Sequence, residues 1–213
     1  MGEDKKVLII SGGKAYDDLI SALVSKEQYS LIIAADSGLN AAERLNLKPD
    51  CIVGDFDSVS QSVLEKYKAL SVPIKTFPRE KDMTDTQISL ELAMSHKPAR
   101  IDIVAATGCR LDHVIANIHL LMNPMQAGID AFIIDNNNKI YLRNNSFDIE
   151  REMQFGSYVS LLPFSEKVTN ITLKGFKYPL ENATLLAGSS LGISNEIVDS
   201  TASVIFDEGI LLV

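Results

Sequence analysis

IDIVAATGCRLDHVIANIHLLM, residues 101–122, carries a strand–loop–helix signature that sets the fold class of the chain. Ile101 to Ala105 form a nearly unbroken apolar run of strand length, and the small residues Ala106, Thr107 and Gly108 end it. Beyond them Val114, Ile115, Ile118 and Leu121 recur at helical spacing. A strand, a short loop and a helix make half of a βαβ unit. The same signature repeats outward in both directions. Strand patterns fall at 7–10, 31–35, 51–53, 72–75 and 130–134, and helical patterns at 17–24, 39–45, 60–70, 84–95 and 112–122. Strands that are continuous apolar runs predict a parallel sheet covered by helices on both faces. Right-handed crossovers then bring the C-terminal ends of the strands to one edge, where ligands bind in such sheets.

After Asn136-Asn137-Asn138 the helical period stops. Short strand patterns follow at 140–143, 157–162, 168–173, 183–186, 193–198, 202–206 and 210–213, and Glu208-Gly209 reads as a hairpin turn. The division expected is an α/β domain over 1–137 and a small antiparallel β-domain over 138–213. The second, at about 75 residues, is near the lower limit for an independent core.

The chain has 213 residues, of which 46% are hydrophobic and 23% charged, enough apolar material for a packed core. A formal net charge of −8 excludes non-specific nucleic-acid binding, which needs a basic face. Cys51 lies in an apolar run and Cys109 in a loop, with neither metal-type spacing nor a disulfide framework. MGEDKKVLIISGG is too short in apolar residues for a secretory signal. No stretch approaches the roughly 20 apolar residues of a membrane span. A cytoplasmic protein with no membrane partner is the expectation.

Carboxylates gather where the strands end. Strand 51–53 runs into Gly54-Asp55-Phe56-Asp57-Ser58. On an extended segment, two aspartates two residues apart point the same way. Their mutual repulsion is relieved by a shared cation, and Mg²⁺ suits carboxylate oxygens. A polar turn with Asp57 or Ser58 capping the next helix fits the same residues. Thr84-Asp85-Thr86-Gln87 matches a capping box, with Asp85 at the positive helix end. Lys81 and Asp82, just outside that helix, serve no cap, and a lysine beside a helix start is also a phosphate seat. Thr107, Gly108 and Arg110 form a small-residue loop with a planar fork of donors suited to phosphate. Asp112 reads alone as an N-cap, and His113 and His119 read as structural residues. Asp36, after strand 31–35, is a third acidic strand end.

These residues resemble the bacterial thiamine pyrophosphokinases. The matching blocks are Ala35-Asp36-Ser37-Gly38, Gly54 to Ser58, Lys81 to Asp85, Thr107 to His113, Gly175 to Leu180 and Gly192 to Glu196, in the family's order and over nearly the whole chain. The resemblance implies an N-terminal α/β domain, a C-terminal β-sandwich that binds thiamine and supports dimerisation, and a homodimer. It implies Mg²⁺-dependent transfer of the diphosphate of ATP, the co-substrate, to the hydroxyl of thiamine. Asp55, Asp57 and Asp85 match the Mg²⁺-binding positions, and Arg110 and Asp112 join them as catalytic. Asp36, Lys81, Asp82, Thr107, Gly108 and Arg110 match the nucleotide side. Gln87, Tyr178, Ser194 and Asn195 match the thiamine side. Ala105 and Cys109 stand where glycines are common in the family, and Tyr178 stands where some members carry Trp. Any ring stacked on the thiazolium cation is therefore Tyr or Phe.

Other readings compete. Asp55-Phe56-Asp57-Ser58-Val59 satisfies the DxDx[TV] pattern of haloacid-dehalogenase-like phosphatases, whose first Asp is a covalent nucleophile. Those enzymes carry the block on their first strand and need a later aspartate pair, which is not found after residue 113. A sensing module that binds thiamine or nucleotide without turnover is a second alternative. Ser11-Gly12-Gly13-Lys14 fits neither the dinucleotide fingerprint nor a Walker A loop.

Overall fold

In the computed structural model, which describes residues 5–76 and 82–213, the chain divides into two units, 1–136 and 137–213. The first runs β1 (Lys6–Ile10), α1 (Asp17–Lys26), β2 (Tyr29–Ala35), α2 (Gly38–Arg44), β3 (Cys51–Gly54), α3 (Gln61–Ala69), β4 (Ile74–Thr76), α4 (Asp85–Ser95), β5 (Arg100–Val104), α5 (Leu111–Leu120), α6 (Met122–Gln126) and β6 (Asp130–Ile134). These six strands pair in parallel in the order β4-β3-β2-β1-β5-β6. Leu8, Ile9, Ile10, Ile33 and Ile52 are fully buried, as strands covered on both faces require.

The order turns back on itself between β1 and β5. Chain connections leave these neighbours in opposite directions, which opens a crevice above their C-terminal ends. Ile10 is in register with Ala34 and with Val104, so the loops after β1, β2 and β5 leave the sheet at one level. Two elements are shorter than their patterns, and proline explains both. Pro124 has no N–H, so the helix of 112–122 ends at Leu120 and α6 restarts with Pro124 in its first turn. β4 likewise begins only after Pro73. Among the described residues no helix is long and apolar enough to cross a membrane.

The second unit contains β7 (Lys139–Ile140), β8 (Leu142–Arg143), β9 (Phe147–Glu150), β10 (Leu162–Pro163), β11 (Lys167–Lys174), β12 (Leu180–Leu186), β13 (Thr201–Ile205) and β14 (Leu211–Leu212). Two antiparallel sheets, β10-β14-β8 and β12-β11-β13-β9, enclose a core that includes Leu161, Val168, Ile171, Leu173, Val204 and Leu211. β9, absent from the strand patterns above, alternates half-buried and exposed residues against β13. Two patterns are corrected. Residues 157–162 keep only Leu162 in a strand, and 193–198 form turns with isolated bridges. Gly192 at φ +99 and Ser194 at φ +56 curl that backbone away from any extended ladder. The hairpin expected at Glu208-Gly209 does not form, because β13 and β14 on either side of it belong to different sheets; Gly209 has φ +113, and a Cβ there would meet the Lys167 carbonyl at 2.5 Å.

Candidate active site

The crevice is built first from backbone. Beyond β1, Ser11 N–H donates to Val104 O at 2.9 Å, Gly13 N–H to Ala105 O at 2.7 Å and Lys14 N–H to Thr107 O at 3.0 Å. The glycine loop after β1 is thus laced to the loop after β5. A Cβ on Gly13 would lie 2.5 Å from Ala105 O and 2.6 Å from Thr107 O, so only glycine permits this approach. Ala105 itself takes φ +54, the left-handed region, which gives a physical reason for a glycine preference at this position. Asn117, buried on α5, donates its amide to Ala106 O at 2.7 Å and steadies the same loop. By sequence, Ser11 to Lys14 matches no named phosphate-binding motif. The available signal was a glycine pair and a lysine directly after the central strand.

The acidic turns of β2 and β3 lie against each other. Asp36 N–H donates to Val53 O at 2.8 Å, and Ser58 Oγ reaches both carboxylate oxygens of Asp36 at 2.9 Å. Asp55 Oδ1 accepts the Asp57 N–H at 3.2 Å, and the intervening Phe56 is buried with φ +64. Asp55 and Asp57 therefore stand on a tight turn beyond the end of β3. Strand alternation, which assumed an extended segment, does not govern their directions. Asp55 is half-buried and Asp57 exposed.

Helix α4 follows with Asp85 in its first turn. Thr84 Oγ1 accepts the Gln87 N–H at 3.2 Å, the expected cap. The reciprocal arm is different: Gln87 Nε2 donates to Glu91 Oε1 at 3.1 Å, an ordinary neighbour one turn on. Thr86 is buried, and its Oγ1 lies 2.6 Å from Ser11 Oγ, linking this turn to the glycine loop. Asp82 is exposed ahead of the helix, and Lys81 lies outside the described residues.

Helix α5 begins at Leu111 with Arg110 in the N-cap position, so Asp112 sits within the first turn rather than at the cap. Arg110 grips Asp112 through two donors, at 3.3 and 2.6 Å. That hydrogen bonding, aided by the opposite charge, holds the Asp112 carboxyl below its ordinary value and the guanidinium above its own. Both side chains are about two-thirds exposed, at 68% and 65%. Gly108, Cys109, His113 and His119 are also exposed, and Thr107 is half-buried. The structural reading of the two histidines gains no support from core packing.

Among the described residues no three His, Cys, Asp or Glu side chains stand together as a ready metal cage. The donor chemistry still fits Mg²⁺. Asp36, Asp55, Asp57 and Asp85 offer hard oxygens, and Mg²⁺ commonly takes one or two carboxylates, with water and substrate phosphates completing its shell.

In the second unit, Tyr178, Ser194 and Asn195 come together. Asn195 is buried: its Nδ2 donates to Tyr178 O at 2.7 Å, and its Oδ1 accepts Tyr178 N–H at 3.0 Å. Its amide thus holds the backbone of Tyr178, whose ring is exposed with Lys177 Nζ 5.6 Å from the centroid. Lys177 also pairs with Glu196 at 2.7 Å. Ser194 is exposed, and its N–H donates to Ser160 Oγ at 3.0 Å.

Two family descriptions match the chain: thiamin pyrophosphokinase, catalytic domain, over residues 23–133, and thiamin pyrophosphokinase, vitamin B1 binding domain, over 144–211. The thiamine pyrophosphokinase of Bacillus subtilis (strain 168) is 34% identical over 210 residues, covering 98% of this chain and 97% of its own. A crystal structure of thiamine pyrophosphokinase from Bacillus subtilis superposes with a TM-score of 0.87 at 32% identity, covering 98% of this chain and 97% of that one. The enzyme from Geobacillus thermodenitrificans gives 0.82 at 31% identity, with 97% and 95% covered.

Proposed function

The chain belongs to the thiamine pyrophosphokinase family, and from that premise we propose that it transfers the diphosphate of ATP to the hydroxyl of thiamine at the β1–β5 crevice, with Mg²⁺ held by Asp55, Asp57 and Asp85. The observation that carries the site assignment is the shared level at which β1, β2 and β5 leave the sheet. It brings the glycine loop, the acidic turns and the Arg110 loop to one edge.

Thr107, Gly108, Lys81 and Asp82 face the nucleotide in this reading, and Asp36 lines the same edge. Bound Mg²⁺ supplies charge neutralisation on the phosphate oxygens. Arg110 adds a bidentate contact to them. The Arg110–Asp112 pair is exposed, so a phosphate competes for the guanidinium. Once Arg110 turns to phosphate, the interaction that depresses the Asp112 carboxyl is gone and the carboxylate regains basicity. Asp112 then accepts the hydroxyl proton as the thiamine oxygen attacks the β-phosphorus. The bond to the bridging oxygen breaks, and AMP departs. Positioning carries most of the acceleration in such phosphoryl chemistry.

Thiamine recognition falls to the second unit. The exposed ring of Tyr178 offers a face to the thiazolium cation, and Glu196 offsets the charge of the nearby Lys177. Ser194 completes that surface, with Asn195 holding the Tyr178 backbone. The reading includes a cytoplasmic homodimer. Exposed Met153, Phe155, Tyr158, Leu191 and Ile193 in the second unit favour a covered surface there.

Purified protein given thiamine, ATP and Mg²⁺ tests the reaction. Equal yields of AMP and thiamine diphosphate, abolished by EDTA, are expected. Inorganic phosphate without thiamine diphosphate would overturn the reading in favour of a phosphatase, and binding of both ligands without AMP in favour of a sensor.

A further inference from the structure

Ser11 and Thr86 are 75 residues apart, yet their hydroxyl oxygens lie 2.6 Å from each other. Their exposures are 3% and 8%. Ser11 directly follows β1 and opens the glycine loop, and Thr86 directly follows Asp85 in the first turn of α4. Ile10 and Leu90, on the same two elements, are fully buried, so the hydroxyl pair lies where sheet and helix are closed to solvent.

Packing alone does not call for these hydroxyls. Alanine at 11 and valine at 86 would fill similar space with no polar atom to satisfy, and replacing both partners of a buried hydrogen bond by apolar groups is nearly neutral. What the pair adds is direction. Apolar contact between a helix and a sheet is non-directional, whereas a hydrogen bond between two buried hydroxyls fixes the spacing of the elements that carry them. Ser89, one turn along α4, is fully buried with its hydroxyl making no hydrogen bond. The buried face of α4 is therefore not polar-bonded throughout, and the bond falls at the turn that bears Asp85.

We infer that the Ser11–Thr86 hydroxyl pair is a positioning clamp that holds Asp85 in register with the glycine loop and so sets the geometry of the Mg²⁺–nucleotide site. The inference rests on the assignment of Asp85 to the metal. Neither hydroxyl touches substrate. Each acts through the element it locks, since small displacements of a carboxylate at a metal–phosphate site translate steeply into rate.

The test compares Thr86→Val, Thr86→Ser, Ser11→Ala and the double variant Ser11→Ala/Thr86→Val, beside Asp85→Asn. Thr86→Val should lower kcat on the order of tenfold, and calorimetry in the absence of thiamine should show Mg²⁺ with a non-hydrolysable ATP analogue binding more weakly by about the same factor, with the KM for thiamine within about twofold. Ser11→Ala should match it, and the double variant should be no worse than either, because both remove one interaction. Thr86→Ser should restore kcat and the binding of Mg²⁺ with the analogue. Wild-type kcat and analogue binding in Thr86→Val, or a loss that Thr86→Ser does not recover, would overturn the clamp; if Thr86→Val fails to fold, Ser11→Ala decides by the same criteria. An inactive Asp85→Asn with a normal Thr86→Val sinks the clamp alone. A fully active Asp85→Asn removes the metal assignment and the clamp with it.

Discussion

A Cβ built on Gly54 would come within 3.1 Å of the Cα of Asp36, so β2 and β3 leave the sheet pressed together where their acidic turns begin. Gly54 also has φ +151, a conformation that side-chain-bearing residues rarely adopt. Gly54→Ala should cost about 1–3 kcal/mol of stability and reduce AMP release by spreading Asp36 and Asp55. Urea unfolding and an activity assay check both. An alanine variant as stable and active as wild type would show that the close approach is dispensable.

Ala105 presents the reverse case. It holds φ +54 while its carbonyl accepts the Gly13 N–H. Relief of the left-handed strain is worth about 1–2 kcal/mol. The added freedom of glycine in the unfolded chain takes back about 0.4–1 kcal/mol. The first effect is larger, so Ala105→Gly should raise the urea midpoint slightly. A clear fall would mean that the alanine methyl packs usefully in this loop.

At the other edge of the sheet, Lys6, Glu27, Arg100, Asp102 and Tyr29 form a polar cluster. The Lys6 hydrogen bond holds the Glu27 carboxyl below its ordinary 4.5; burial opposes this, and the Arg100 charge assists it. A depressed carboxylate contributes stability that is present above its unfolded value and is lost as pH falls through the lowered folded one. Glu27→Gln should therefore be less stable than wild type at neutral pH, by about 1 kcal/mol. The two curves should converge in acid, below the ordinary Glu range. Parallel curves across the whole range would remove Glu27 from the acid transition.

Most of the first unit was legible because its strands are apolar throughout and its helices follow the 3.6 period. Topology alone then carried Asp36, Asp55 and Arg110 to one edge. What stayed hidden has a physical cause in each case. Positive φ at Phe56, Ala105 and Ser194 leaves no mark on residue type, so the residues at Asp55–Asp57 fit a polar turn and an extended segment equally, and 193–198 carries a strand pattern that its backbone does not follow. The Ser11–Thr86 bond joins distant, unremarkable hydroxyls. The glycine loop matched no named motif, although its close approach to Ala105 and Thr107 is what requires Gly13. β9 is short, and half of its residues face solvent.

The most direct check on carboxylate-held Mg²⁺ is AMP release by Asp55→Asn and Asp57→Asn across a Mg²⁺ titration, with circular dichroism confirming the fold. Each variant should lose about a hundredfold or more in kcat while keeping the wild-type spectrum. Rates near wild type at every Mg²⁺ concentration would contradict the account.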